Sequence, residues 1–179
     1  VGKTTAETVG NIITKTDELL TQVKPDAFLV LGDTNSCLAA YSAKRQKIPI
    51  FHMEAGNRSF DFRVPEESNR RIIDHLRDIN MPYSGLARGH LLREGLAPDR
   101  VIKTGSPMLE VSMAHKSKIL KSSIVKKLKL KKNGYFVLST HREENVDSPR
   151  NLNKLVKMLE EVCARYKMPI IFSCHPRTQ

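Results

Sequence analysis

The chain contains no apolar run approaching the ~18 residues that a membrane span needs, so no segment of it reads as a transmembrane helix and no membrane partner is expected. No secretory signal pattern stands at its first residues. Cysteine is scarce: Cys37, Cys163 and Cys174 are odd in number, and ten residues separate the closest pair. Neither a disulfide framework nor a zinc site can be built on that spacing, so no metal is expected and a reducing cytoplasmic compartment is. Acidic residues are missing altogether between Glu110 and Glu143, where Lys116, Lys118, Lys121, Lys126, Lys127, Lys129, Lys131 and Lys132 lie. Those eight lysines carry most of the charge imbalance, since the net charge of +11 falls to +3 without them. The stretch has no aromatic before Tyr135 and no arginine before Arg142, which argues against nucleic-acid binding. Leu120, Ile124 and Leu128 repeat every four residues through it, the pattern of an amphipathic helix with a solvated lysine face.

What is present is globular: 179 residues, 40% hydrophobic and 27% charged, enough for one ordinary domain or parts of two. Helical spacing over 5–23 gives way at Pro25-Asp26 to a wholly apolar run, 27–31, expected to be a strand buried on both faces. A turn at Gly32-Asp33-Thr34-Asn35 leads to a helix over 36–46 and a strand over 48–53. Further on, helices are expected at 66–77 (opened by Pro65) and 85–94, with a strand end at Met81-Pro82-Tyr83 and a strand at 101–104. The pattern restarts with a strand at 135–140, a helix at 151–166 and a strand at 169–174. Short apolar strands alternating with helices predict an α/β fold with a parallel sheet covered on both faces. The sequence opens in a helix and closes just after a strand, so a portion of a longer protein is expected, because a sheet cut at both ends leaves unpaired edges.

In parallel sheets, ligands bind beyond the carboxyl ends of the strands. The polar clusters fall there: Gly32-Asp33-Thr34, Glu54-Ala55-Gly56, His141-Arg142-Glu143-Glu144-Asn145 and His175-Pro176-Arg177. Asp33, Glu54 and Glu66 each sit where a turn can aim a carboxylate into a cleft, and carboxylates gathered there suit acid–base work. Helix capping explains Asp33 and Glu66 equally well from position alone. His141 or Arg142, with the helix N-terminus that follows, suits a phosphate. A metal pair would want histidine four residues after His141, where Asn145 stands. His52, inside a strand, is expected in the core. Val1-Gly2-Lys3-Thr4-Thr5 mimics a phosphate loop, but the motif's first glycine and preceding strand are missing, and a threonine-capped helix start is the expectation.

The runs Gly32-Asp33-Thr34, His52-Met53-Glu54-Ala55-Gly56-Asn57-Arg58, Pro65-Glu66-Glu67-Ser68-Asn69-Arg70, Thr104-Gly105-Ser106-Pro107 and His141-Arg142-Glu143-Glu144-Asn145 resemble the non-hydrolysing UDP-N-acetylglucosamine 2-epimerase family in order and spacing. Asn57, Phe62-Arg63-Val64 and Ser106-Pro107-Met108 are more similar to the branch that makes UDP-N-acetyl-L-fucosamine from a UDP-linked 6-deoxy-L-sugar. The resemblance implies a GT-B-like fold of two Rossmann-like domains, here in part, with residues 1–112 the later part of the first and 113–179 the start of the second.

It also implies an isomerase that uses no cofactor and acts on a UDP-sugar: UDP is eliminated, a 2-acetamidoglycal forms, and UDP re-adds after protonation on the other face. Asp33, Glu54 and Glu66 are then the acid–base and sugar-orienting carboxylates and His141 the diphosphate contact. Arg58, Arg70, Arg142, Glu143, Asn145 and His175 are the implied substrate contacts. A cytoplasmic homodimer serving surface polysaccharide synthesis completes the implied picture. A hydrolysing relative, an inactive nucleotide-sugar binder and a GT-B glycosyltransferase with a separate acceptor are the alternatives.

Overall fold

A computed structural model describes residues 2–140 and 148–173, and the chain divides into two compact units, Val1–Met113 and Ala114–Gln179. In the first, helix α1 (Thr5–Val23) starts where the Thr4 hydroxyl accepts the Glu7 N–H at 3.1 Å, so the glycine-lysine-threonine opening is a capped helix start as expected. Lys24, left-handed at φ 48°, ends it just ahead of Pro25. Strand β1 (Phe28–Leu31), a 3₁₀ turn (Asn35–Ala39), helix α2 (Ala40–Arg45) and strand β2 (Ile50–Met53) follow. Helix α3 (Pro65–Leu76) begins on a proline, whose missing N–H costs nothing in a first turn. Strand β3 (Ile79–Met81) and helix α4 (Gly85–Arg93), capped by the Ser84 hydroxyl, come next.

β1, β2 and β3 form a parallel sheet in chain order, with Val30 beside His52 and His52 beside Asn80. The expected strand at 101–104 shrinks to one bridge, Val101 with Asn80, plus single bonds from Ile102 and Thr104 to Asn80 and Pro82 carbonyls. One core joins Leu20 of α1, Val30, Cys37, Ala40, Ala43, Ile50 and Ile73. Each fully buried Ile there contributes about 1.5–3 kcal/mol. The opposite face of β1 corrects the sequence reading. Leu29 and Leu31 are each 63% exposed, because α1, the 3₁₀ turn and α2 pack only on the face that carries Phe28 and Val30. A wholly apolar run reports which residues tolerate burial, and not which face receives a cover.

A second cluster, Ala55, Leu91 and Val101, seats α4 against the turn after β2. Gly56 makes that approach possible: its φ is +79°, and a Cβ would come within 2.4 Å of the Ala87 carbonyl oxygen. Gly56→Ala is therefore expected to destabilise the protein by about 2–5 kcal/mol, combining left-handed strain with overpacking. The urea midpoint measures it, and an unchanged midpoint would show that α4 shifts freely.

The lysine-rich stretch is not one helix. α5 (Met108–Lys121) stops at Ser122-Ser123 and α6 (Ile124–Lys127) is a single short piece. Serine hydroxyls compete for backbone groups, as Ser122 Oγ does in accepting the Ile124 N–H at 3.4 Å. Leu120, Ile124 and Leu128 are all exposed, so the expected apolar stripe does not line a single helix face. In the second unit β4 (Phe136–Leu138) pairs in parallel with β5 (Ile170–Phe172). Helix α7 (Pro149–Tyr166) connects the segments, capped by the Ser148 hydroxyl and packing Tyr166 edge-on against Phe136.

Candidate active site

Two sharp turns leave the sheet side by side. Gly32 (φ +74°) follows β1 and donates its N–H to the Met53 carbonyl at 3.2 Å, which ties the Asp33 turn to the end of β2. Glu54, directly after β2, is itself left-handed at φ 64°. A long side chain in that conformation is sterically costly, by about 1–2 kcal/mol. Such strain persists only where surrounding bonds over-determine it.

The binding groups here come from α3. Arg70 Nε donates to Asp33 Oδ2 at 2.8 Å, and its Nη2 lies 2.5 Å from the same oxygen and 3.3 Å from Glu54 Oε1. Its Nη1 donates to the Glu54 carbonyl. The Arg70 side chain is only 7% exposed, whereas those of Asp33 and Glu54 are 20% and 36% exposed. The cation is thus sunk behind two partly exposed carboxylates. Asn69 holds the same turn by donating to the Asp33 carbonyl and to Asn35 Oδ1, both at 3.0 Å. Asn57 Nδ2 donates to Glu54 Oε1 at 3.4 Å.

Asp33 does not cap a helix. The residue before the 3₁₀ turn is Thr34, with no side-chain cap bond, and the Asp33 carboxylate is spoken for by Arg70. No side chain caps α3 either. Glu66 is exposed in the first turn of α3, one turn before Arg70 on the same helix face. Among the described residues it forms no ion pair with Arg70. Its neighbour Glu67 is buried instead, accepting from the Ser59 N–H at 2.8 Å and from Arg71 Nε at 2.8 Å, so the loop 59–64 is anchored to α3.

Arg58 is placed differently from a surface contact. Its side chain is 0% exposed; Nη1 donates to Asp74 at 2.7 Å, Nη2 to Glu94 at 2.7 Å and Nε to Glu94 at 2.8 Å. Burial alone would lower its pKa, but the hydrogen bonds to Glu94 and Asp74 outweigh that and raise it. The same pairing, led by the Arg58 hydrogen bond, holds the Glu94 carboxyl down at about 2. His52 lies in the core as expected, with both ring nitrogens engaged, by Asp74 at 2.8 Å and by the Gly32 carbonyl at 2.9 Å. His141, Arg142, Glu143, Asn145 and His175 lie outside the described residues.

Sequence reasoning missed Tyr83, Asp74 and Glu94. Tyr83 follows β3, and its phenol is pushed upward by burial first and then by the charge of Glu54. Its position at a strand's carboxyl end was the available signal. Cys37, just past the Asp33 turn, is buried, and burial and then the charge of Asp33 push its thiol up to about 12. Among the described residues no cluster of three His, Cys, Asp or Glu side chains is set to hold a metal, and no helix is long and apolar enough to cross a membrane.

A family model described as UDP-N-acetylglucosamine 2-epimerase matches residues 1–179. The chain is 35% identical to a UDP-N-acetylglucosamine 2-epimerase of Methanocaldococcus jannaschii over 98% of its own length and 49% of that protein's. It superposes with a TM-score of 0.92 on the UDP-N-acetylglucosamine 2-epimerase structure from Rickettsia bellii, at 50% identity, covering 99% of this chain and 47% of that one. On the M. jannaschii enzyme in complex with UDP-GlcNAc and UDP the TM-score is 0.89 at 34% identity, over 99% of this chain and 49% of that one. The chain thus spans about half the length of the relatives it matches. Over that half the fold class is the one the motifs imply, α/β and GT-B-like.

Proposed function

Because the chain belongs to the UDP-N-acetylglucosamine 2-epimerase family, we propose that the protein at its full native length epimerises C2 of a UDP-linked N-acetylhexosamine. The C2 proton is not alpha to a carbonyl, so a side chain near neutral pH cannot simply remove it. Elimination solves the problem: a base takes the C2 proton while the C1–O bond breaks toward the diphosphate, leaving a 2-acetamidoglycal and UDP. Protonation of C2 from the other face, with return of the UDP oxygen to C1, completes inversion. The route calls for acid–base groups at C2 and a site for the departing diphosphate. It calls for neither nicotinamide nor metal.

The observation that carries this reading is the Asp33–Arg70–Glu54 cluster, two partly exposed carboxylates held by one buried guanidinium. Fixed carboxylates can move a proton at C2 without reorganising, and Arg70 keeps them apart and oriented. Glu66, one helical turn away, is the third member, and His141 the diphosphate contact. Arg142, Glu143, Asn145 and His175 complete the substrate set. Arg58, held between Asp74 and Glu94, shapes the Glu54 loop from behind. The protein acts as a homodimer in the cytoplasm and supplies surface polysaccharide synthesis on the same resemblance.

Asn57, which donates to Glu54 Oε1 at 3.4 Å, and Ser106-Pro107 resemble the 6-deoxy-L-sugar branch, which makes that sugar the proposed substrate. Incubating the full-length protein in deuterated water with UDP-N-acetylglucosamine and, separately, with the UDP-linked 2-acetamido-2,6-dideoxy-L-hexose tests both levels. Deuterium at C2 of the epimer is expected, faster with the 6-deoxy sugar. Faster turnover of UDP-N-acetylglucosamine would remove the branch assignment alone. Free sugar and UDP without C2-epimerised UDP-sugar would instead identify a hydrolysing enzyme.

A further inference from the structure

Behind the two turns lies a buried polar cluster that the elimination chemistry does not itself use. Asp74 of α3 and His52 of β2 are both 0% exposed. Asp74 Oδ2 accepts the Gly56 N–H at 3.2 Å and Arg58 Nη1 at 2.7 Å. Its Oδ1 lies 2.8 Å from His52 Nδ1, and His52 Nε2 lies 2.9 Å from the Gly32 carbonyl oxygen. A carbonyl and a carboxylate only accept, so both contacts are made by ring N–H groups of His52, Nδ1 donating to Asp74 and Nε2 to Gly32. Asn80 Nδ2 donates to the Asp74 backbone carbonyl at 3.2 Å, and Glu94 holds Arg58 from the far side.

The consequence is geometric. Gly32 immediately precedes Asp33, and Gly56 comes two residues after Glu54. One carboxylate therefore grips both carboxylate-bearing turns, one directly and one through an imidazole. A buried charge is a poor way to stabilise a core, since apolar groups of similar volume often do as well or better. What the charge supplies here, and an apolar residue would not, is directional bonding to two separate loops. A misplacement of about 1 Å at reacting groups can cost roughly a hundredfold in rate.

We propose that Asp74 is a positioning residue that sets the Asp33 turn through His52 and the Glu54 turn through the Gly56 amide, so that the two carboxylates share one fixed spacing. This rests on the 2-epimerase reading above. The test uses His52→Asn and His52→Gln in the full-length protein. Asparagine reaches the Nδ1 position only, whereas glutamine reaches the Nε2 position and can still donate to Gly32. His52→Asn is expected to speed amide hydrogen exchange across residues 32–37 while leaving 54–57 unchanged. It should also lower kcat for C2 exchange by about tenfold to a hundredfold, with KM little altered, and His52→Gln, which keeps the Gly32 bond but gives up the Asp74 contact on Nδ1, should loosen 32–37 as well.

Unchanged exchange across 32–37 in either variant overturns the proposal. The unmodified protein supplies an arm that needs no variant. The Gly56 amide, although in a turn, should exchange as slowly as the β2 amides, and fast exchange there overturns the proposal too. If the unmodified protein incorporates no deuterium at C2, the 2-epimerase reading fails, while the amide measurements still decide whether Asp74 yokes the turns.

Discussion

Glu54→Gln is expected to suppress deuterium incorporation at C2 by roughly a hundred- to ten-thousand-fold, the usual contribution of a general acid or base, without unfolding the protein. Epimerisation through a glycal imports one solvent proton, so deuterium at C2 reports the proton-transfer step and not substrate binding. Glutamine keeps the size of the side chain and its amide oxygen can still accept from Arg70 Nη2, which lies 3.3 Å from Glu54 Oε1. The tie between Arg70 Nη1 and the Glu54 backbone carbonyl is untouched by the change. Only the ionisable group is lost. Asp33→Asn and Glu66→Gln are expected to act in the same direction. Asp33 carries an added cost, because its carboxylate is the nearer partner of a guanidinium that is only 7% exposed. Normal deuterium incorporation in Glu54→Gln, with a normal melt, would remove Glu54 from the acid–base machinery.

Arg58→Met is expected to destabilise the protein by about 3–5 kcal/mol, the range for breaking a buried ion pair by removing one partner. Methionine fills most of the volume, so the loss comes from charge. Asp74, 0% exposed, and Glu94 would lose the guanidinium they share, while Glu94 keeps only Arg71 Nη1 and His75 Nε2, each at 3.2 Å, and Asp74 keeps His52. The variant should also change the acid limb of stability. Glu94 sits at about 2 in the folded protein against an ordinary 4.5, chiefly through its hydrogen bond to Arg58. A depressed carboxyl stabilises the fold above its unfolded value and loses that contribution as pH falls toward the folded one. The unmodified protein should therefore lose stability between about pH 4.5 and 2 more steeply than Arg58→Met does. Urea unfolding at pH 7, 4 and 3 measures both effects. Parallel acid limbs in the two proteins would mean that Glu94 draws little from Arg58.

Much of the frame was legible because local signals agreed. Thr4 and Pro25 bracket α1, Pro65 opens α3 and Ser84 caps α4, each a short-range device that leaves a mark in the sequence. The turns after β1 and β2 were legible from topology, since parallel strands present their carboxyl ends to ligands. What stayed hidden depends on residues distant in the chain. Asp74 and Glu94 match no motif, and their meaning comes from Arg58, sixteen and thirty-six positions away. Arg58 is a substrate contact only by resemblance, and its bonds run to Asp74 and Glu94. The exposed face of Leu29 and Leu31 was equally hidden, because periodicity names a strand without naming what covers it. The Ser122-Ser123 break was present in the sequence but outweighed by the four-residue apolar repeat across it.

The left-handed backbone of Glu54 has an evolutionary consequence. Glycine would adopt φ 64° without steric cost, so a population selected for thermal endurance alone has a downhill step at this position, worth about 1 kcal/mol. That step deletes the carboxylate. Endurance and turnover therefore pull position 54 in opposite directions, and a lineage that relaxed its demand for catalysis would be expected to drift there early. Among descendants that keep the fold but have lost the reaction, glycine in place of Glu54 would be the trace of that history.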